Sequence, residues 1–154
     1  MILDNIFTDF IFAAISSFGF AILFNAPRKK IHLCAINGGI GWVIYILFSN
    51  TLDNLYIGIF LGSIFVSAFS RILSHRHDMP YSLFFVPAIM PLVPGANMLN
   101  TMTGILEGDM FYAYDQAVTA ILLAGIIMGA FIFIYMLPPK FFLFKQNKSN
   151  DIFK

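Results

Sequence analysis

The strongest constraint on this chain is a run over residues 117–137 that contains no charged side chain. About 20 mostly apolar residues are what an α-helix needs to cross the hydrocarbon core of a bilayer. The rest of the chain agrees, because 59% of its residues are hydrophobic and 11% are charged, with a mean hydropathy of +0.83. Soluble domains carry about a quarter charged residues, so this chain has too few to cover a water-facing surface. We therefore predict an all-α integral membrane protein.

Four more apolar segments precede this run, and short polar links separate them. The sequence predicts five transmembrane helices, at about 6–24, 33–48, 55–73, 80–102 and 117–137. Together they form one transmembrane domain over residues 1–137. Residues 138–154 form a cytoplasmic tail, in which phenylalanines between lysines are typical of an interfacial anchor. The N-terminus lacks the basic residues and the cleavage site of a signal peptide, so we expect the first span to be retained.

Charge predicts the orientation of these helices. The nine Lys and Arg residues fall in the first link, around the end of the third span, and in the tail. Cytoplasmic loops of membrane proteins are enriched in Lys and Arg, and five crossings put these three groups on one side. We therefore predict that the N-terminus lies outside and the C-terminus in the cytoplasm. A fourth segment that dipped in and returned would separate the tail from the other basic groups, so the pattern favours a fourth segment that crosses.

The fourth span is interrupted by Pro87, Pro91 and Pro94 at helical spacing, and Gly95 follows at once. Each proline lacks an N–H and clashes with the carbonyl four residues back. Bared backbone groups within a bilayer must face protein or a wet cavity, and transporters build substrate sites from such broken helices. The alternative is a kinked helix whose freed carbonyls bond to neighbouring hydroxyl groups.

The first of these interpretations predicts a substrate site at the break. The helix that restarts after Gly95 directs free amides and its positive dipole end toward the break, which suits a carboxylate. Three asparagines within spans could add hydrogen bonds, namely Asn37, Asn97 and Asn100. Gly38 leaves the backbone bare beside the first of them.

Glycines also serve close packing between membrane helices. This simpler interpretation accounts for the glycines that follow Asn37 and for two small-xxx-small pairs in the third and fifth spans, Gly58 with Gly62 and Gly125 with Gly129. It does not account for Asn37 itself, an amide inside a span that needs a partner.

Two ionisable residues at the ends of spans have alternative interpretations. Asp9 lies about one turn inside the first span, where an acid either carries a coupling proton or is solvated at the interface. Arg71 ends a stripe on the third span that includes Ser63 and Ser67. That stripe either lines an exit path, with Arg71 near its inner mouth, or holds serines that bond back to their own helix.

Other functional classes find little support in the sequence. It contains no nucleophile–base set, P-loop or zinc-protease motif, so we expect neither enzymatic activity nor a cofactor. A single cysteine, Cys34, excludes an internal disulfide and a cysteine-based zinc site. His75, His77 and Asp78 lie beside arginines that oppose a cation, so we expect no metal site. A net charge of +1 gives no reason to expect a nucleic-acid partner.

Three motifs together, FGFAILFNAPRK at 18–29, NGGIGW at 37–42 and PLVPG at 91–95, resemble the threonine/serine exporter family. The chain resembles more closely the small, split membrane subunit of this family, of the type paired with a larger subunit in succinate export. The resemblance covers about residues 6–137. It implies a multi-pass protein of the bacterial cytoplasmic (inner) membrane and a larger membrane subunit as partner. The positions that match the motifs are Asn25, Pro27, Arg28, Asn37, Gly38, Gly41, Pro91, Pro94 and Gly95.

We therefore predict the small subunit of a two-component secondary exporter of small carboxylate metabolites, either threonine and serine or succinate. It lies in the lipid bilayer, and a homo-oligomer is possible. Two alternatives stay open, a non-transporting accessory subunit and a passive channel. The candidate substrate-binding residues are Asn37, Gly38, Arg71, Pro91, Pro94, Gly95, Asn97 and Asn100, with Asp9 as the candidate for proton coupling.

Overall fold

The computed structural model describes the backbone of residues 2–138 and the side chains from residue 6 onward. The predicted aromatic anchor and nearly all of the predicted tail lie outside the described residues. Within them the chain is helical and has no strands. A 3₁₀ turn (Met90–Leu92) separates the fourth and fifth of six α-helices, which are α1 (Ile2–Leu23), α2 (Ile31–Leu52), α3 (Leu55–His77), α4 (Ser82–Ile89), α5 (Gly95–Glu107) and α6 (Met110–Met136).

The first three helices end in the same backbone motif. Asn25, Asp53 and Asp78 have positive φ angles of 57°, 49° and 49°, in the left-handed region that Asn and Asp tolerate better than other side chains. The N–H of the next residue then bonds to the carbonyl five residues earlier, from Ala26 to Ala21, from Asn54 to Ser49 and from Met79 to Ser74. These short reversals let α1, α2 and α3 run antiparallel with little intervening loop.

Two side-chain contacts bring three parts of the chain to the same end of the bundle. Lys30 Nζ lies 3.0 Å from His77 Nδ1, which joins the α1–α2 turn to the end of α3. Arg71, also near the end of α3, donates to the carbonyls of Ile134 and Tyr135 in the last turn of α6. A helix of 27 residues is about 40 Å long, so α6 begins at the opposite end. The segment that joins α3 to α6 must therefore cross the bundle.

The prediction of an all-α fold with a broken fourth span is confirmed. α1, α2, α3 and α6 are each long and apolar enough to cross a membrane, and the α4–α5 segment makes a fifth candidate span with a bend of 52° at the break. Which end faces the cytoplasm stays a prediction from charge.

Some helix boundaries differ from the predicted spans. The predicted link at 103–116 is mostly helical, because α5 continues to Glu107 and α6 begins at Met110. The chain reverses at Gly108, whose φ is +80°, and the Asp109 side chain caps α6 by accepting a hydrogen bond from the Tyr112 N–H at 3.0 Å. α2 likewise extends beyond the predicted 33–48 at both ends. Hydropathy finds only the apolar part of a helix, whereas capping decides where it starts and stops.

The two halves of the broken span are packed differently. α4 lies among α1, α2 and α3, whereas α5 has backbone contacts only with α6 in the described part of the chain. The core around the break contains Ala88, Ile89 and Leu92 against Val66 of α3 and Leu123 of α6. α4 is therefore part of a packed bundle, whereas α5 projects from the bundle together with the first turns of α6.

Candidate functional site

The break in the fourth span lies about 12 Å along the segment from the start of α4. α4 ends at Ile89, and the 3₁₀ turn gives way at Val93 to extended backbone with ψ of 133°. Pro94 then precedes the first residue of α5. The interruption predicted from Pro91, Pro94 and Gly95 is present, whereas Pro87 lies inside α4 without ending it.

Neighbouring groups satisfy part of the backbone that the prolines leave bare. Pro87 removes the helical donor of the Leu83 carbonyl, and the Cys34 thiol donates to that oxygen at 3.5 Å. Pro94 removes the helical donor of the Met90 carbonyl, and the Val93 N–H bonds to it instead at 3.2 Å. The kinked-helix interpretation therefore explains α4 and the 3₁₀ turn. The freed carbonyls there bond to a thiol and to a backbone amide, however, and not to hydroxyl groups.

A cavity of about 230 Å³ lies against the 3₁₀ turn. It is lined by Pro91 of the break, by Trp42 of α2, and by Asp9, Phe12 and Ala13 of α1. Two predicted residues, Asp9 and Pro91, thus meet at one cavity, although the sequence predicted different roles for them. Asp9 is half-buried and lies 14 residues before the end of α1, about 20 Å along the helix axis from the α1–α2 turn.

Sequence reasoning did not identify Trp42 as a site residue. Its mid-span position indicated a side chain that packs in the bundle, and it does form an edge contact with Tyr45, with ring centroids 5.0 Å apart. Only the folded structure also places it at the cavity. Its distance from a membrane interface, where Trp usually lies, was the available signal.

Fully buried polar side chains extend from this region toward the end of the bundle where Lys30, Arg71 and His77 lie, which we call the basic end. None of them is exposed, and they come from three helices: Ser17 of α1, Asn37 of α2, and Ser63, Ser67 and Ser70 of α3. Three of these side chains keep a polar atom without a hydrogen-bond partner among the described residues, namely Ser17 Oγ, Asn37 Oδ1 and Ser63 Oγ, while Ser67 Oγ lies beside the Tyr81 hydroxyl. Buried polar groups are normally paired with protein or ordered water. This interior is therefore suited to water or to a polar solute.

Asn37 is the centre of this polar interior. Its Nδ2 donates to Ser70 Oγ at 2.9 Å and to the Val66 carbonyl at 3.3 Å, both on α3. The partner that Asn37 requires is thus α3, not the break. Gly38 is the residue that approaches the broken span, since a Cβ there would overlap Ser17 Oγ and lie 3.0 Å from the Ala88 carbonyl oxygen.

The predicted residues after the break occupy a different surface. Asn97 Nδ2 donates to Gln116 Oε1 of α6 at 2.9 Å. The Gly95 N–H bonds to the Val93 carbonyl at 2.7 Å, and the Met98 N–H bonds to Pro94. In the described chain, the amides of Ala96 and Asn97 are left without a backbone acceptor. Asn100 is half-buried and none of the hydrogen bonds within the described residues involves its side chain.

The side chain of Arg71, a residue of α3, contacts the C-terminal end of α6. Besides its bonds to the carbonyls of the last α6 turn, its guanidinium lies 5.8 Å from the centre of the Tyr135 ring. A cation at a helix C-terminus stabilises the exposed carbonyls, so these contacts describe a capping residue. Among the described residues of the same stripe, Ser63 is buried without a partner, and Ser67 is buried beside the Tyr81 hydroxyl.

One of the two glycine pairs packs as predicted. A Cβ at Gly58 would lie 2.7 Å from the Tyr45 carbonyl, and one at Gly62 would lie 2.8 Å from the Gly41 carbonyl, so α2 and α3 pack closely there. Within the described residues, a Cβ at Gly125 or Gly129 meets nothing within 4 Å. Packing at that pair therefore stays a prediction, since sequence spacing identifies a helix face but not what covers it.

The motif residues of the α1–α2 turn have a structural role. Asn25 takes the left-handed conformation, Ala26 is buried, and the Pro27 carbonyl accepts from the Lys30 N–H at 2.7 Å. These residues form the reversal and do not line the cavity.

The comparisons with known proteins cover most of the chain. The family model described as "Threonine/Serine exporter, ThrE" matches residues 9–137. An uncharacterised protein of Haemophilus influenzae is 29% identical over 134 residues, which are 84% of this chain and 45% of that protein. The chain thus spans less than half the length of this relative. No solved structure matches the chain.

Proposed function

Because the chain belongs to the threonine/serine exporter family, we propose that it is the small membrane subunit of a two-component secondary exporter for threonine or serine. The observation that carries this proposal is the cavity where the acid Asp9 meets Pro91 of the broken span. The bacterial inner membrane is the proposed location, with the basic end of the bundle in the cytoplasm.

The size of the cavity favours a small metabolite. Its volume of about 230 Å³ is below the roughly 300–1,000 Å³ of pockets for drug-sized ligands. Apolar walls with few polar groups are the usual composition of such a site, and Phe12, Ala13 and Trp42 supply them here.

The charge at the cavity favours an amino acid over succinate. Asp9 is the charged residue of its lining, and a carboxylate attracts an ammonium group while it repels a dicarboxylate. The indole ring of Trp42 is a further site for an ammonium group, through a cation–π contact. We place the substrate ammonium at Asp9.

The buried polar interior supplies the second half of the proposed path. Ser17 lies eight residues beyond Asp9, about 12 Å closer to the basic end, and Asn37 and Ser70 lie at a similar depth. Their packed arrangement corresponds to a closed inner half beneath an accessible cavity. We propose that substrate passes when α4 moves against α2 and α3, with the break at Pro91–Gly95 as the hinge, as in transporters with discontinuous helices.

Efflux of threonine from bacteria that co-express this chain with a larger subunit tests the proposal. Cells are loaded with a threonine-containing dipeptide, and threonine release is followed with wild type, Asp9→Asn and Asp53→Asn. Asp53 is the matched control, because it is an exposed acid outside the cavity whose left-handed conformation Asn tolerates. We expect Asp9→Asn to lower efflux by about tenfold or more, as the loss of one charge-assisted hydrogen bond implies, and Asp53→Asn to change little.

The same cells distinguish the remaining possibilities. Equal loss of net efflux and of threonine exchange supports substrate binding by Asp9, whereas exchange that survives without net efflux supports proton coupling. Succinate release that depends on Asp9 as strongly as threonine release would contradict the substrate class. Threonine efflux that is unchanged when the proton gradient is collapsed would support the passive channel. Full transport after Asn37, Asn97 and Asn100 are all made apolar would support the accessory subunit.

A further inference from the structure

α5 has an outer face that nothing in the described chain covers. Among the described elements the helix contacts only α6, and its side away from α6 exposes Met98, Leu99, Met102, Ile105 and Leu106. We call these five residues the α5 outer face. Apolar exposure by itself is what lipid contact requires, and α1 exposes Phe7, Phe12 and Ile15 in the same way. The α5 face therefore needs some other feature to distinguish it from a lipid-facing surface.

The backbone at the start of α5 supplies one such feature. Gly95 is exposed, and a Cβ built on it meets nothing within 4 Å. Val93 beside it is extended and also exposed. α4 and the 3₁₀ turn together rise about 18 Å before this irregular backbone. Because the hydrocarbon core is about 30 Å thick, we place it near the middle of the bilayer. Irregular backbone at that depth is tolerated against protein or water but not against acyl chains.

We propose that the α5 outer face is the docking surface for a second membrane-spanning helical unit, which also covers the Val93–Gly95 backbone. The occupant is of the kind that makes up the rest of the Haemophilus influenzae relative, more than half of which lies outside the match to this chain. A second copy of the chain does not account for that additional length. The inference rests on the proposed two-component exporter for the identity of its partner.

Site-specific crosslinking tests this surface in the full chain. Met102→Cys and Met128→Cys introduce thiols at methionines that are 68% and 56% exposed, on α5 and α6 respectively. Cys34 is fully buried, so a benzophenone maleimide labels the introduced thiol. The labelled chain is irradiated in membranes that also contain the rest of the Haemophilus influenzae relative, expressed as a separate tagged polypeptide, and a second copy of the chain with a different tag.

We expect the Met102→Cys adduct to crosslink to the tagged second unit at least fivefold more than the Met128→Cys adduct. Preferential crosslinking of the two differently tagged copies through position 102 would overturn the proposal in favour of a homodimer. Equal yields at both positions, or lipid adducts alone, would overturn it in favour of a lipid-facing arm.

Crosslinking needs no transport, so the result is independent of the proposed substrate. Threonine efflux by Asp9→Asn is measured in the same membranes. If the crosslink forms while efflux shows no dependence on Asp9, the docking surface stands and the substrate assignment fails. If Asp9 governs efflux while no crosslink forms, the docking surface is wrong and the exporter assignment stands.

Discussion

The thiol of Cys34 donates a hydrogen bond to the carbonyl oxygen of Leu83, with 3.5 Å between the sulfur and the oxygen. Leu83 is four residues before Pro87, so this carbonyl is the one whose helical donor the proline removes. Cys34 is fully buried in a cluster with Ala21, Leu73 and Phe84. A cysteine of α2 thus allows proline within α4 of the broken span.

This contact predicts different effects for two substitutions of Cys34. Cys34→Ser keeps a donor of similar size and is expected to retain stability. Cys34→Val removes the donor and leaves the Leu83 carbonyl unpaired, which should lower the free energy of unfolding by about 1 kcal/mol. Unfolding by denaturant in detergent micelles measures both. Equal stability of the two variants would contradict a role for the hydrogen bond.

Gly38 should tolerate no side chain, in contrast to Gly125. Gly38→Ala places a methyl group against Ser17 and 3.0 Å from the Ala88 carbonyl oxygen, and overpacking of this kind costs about 1–3 kcal/mol. Gly125→Ala meets nothing within 4 Å and should be neutral or slightly stabilising, because alanine is the better helix former. Thermal unfolding of both variants is the measurement. Partial rescue of Gly38→Ala by Ser17→Ala would confirm which neighbour is responsible.

Arg71 should act on stability before it acts on transport. Arg71→Met removes the hydrogen bonds to Ile134 and Tyr135 and the positive charge at the end of α6. We expect it to lower the free energy of unfolding by about 1–3 kcal/mol. The cap predicts fraying of the last turn of α6, seen as faster amide exchange there. A role at the inner mouth predicts instead a higher KM for threonine efflux. A raised KM together with unchanged amide exchange in α6 would favour the interpretation of Arg71 as a residue of the inner mouth.

Gly95 separates a folding requirement from a functional one. Its φ is not positive and its surroundings are open, so Gly95→Ala and Gly95→Trp should both insert and fold as wild type does. The bulky variant should nevertheless abolish efflux, because it obstructs the break or the unit that covers it. Circular dichroism and membrane fractionation check folding, and threonine release checks function. Efflux by Gly95→Trp at the wild-type rate would place the site elsewhere.

Sequence located the break but not the groups that surround it. The three prolines and Gly95 predict an interruption from local chemistry alone, and the structure places it between Ile89 and Gly95. The same reasoning assigned Asn37, Asn97 and Asn100 to one site, whereas Asn37 bonds to α3 and Asn97 bonds to α6. Sequence spacing fixes the face of a helix on which a residue lies, but not the neighbour that the face meets.

The ends of the helices and the short turns between them could also be predicted from the sequence. Asn25, Asp53 and Asp78 end their helices because Asn and Asp tolerate the left-handed conformation, and their neighbours fix the short reversals. Capping by Asp109 and reversal at Gly108 were also available in the sequence. Hydropathy obscured them, because polar residues of a helix that extends past the hydrocarbon resemble a loop.

By itself, the sequence determined that this protein lies in a membrane, how many apolar helices it has, and where one of them breaks. Those properties follow from composition and from backbone chemistry, which act within a few residues of each other. Only the tertiary structure decided that Asp9 and Pro91, 82 residues apart in the chain, line one cavity, and that α5 stands apart from the bundle. Both depend on which helix faces pack together, and that is set by the sum of many contacts between distant segments.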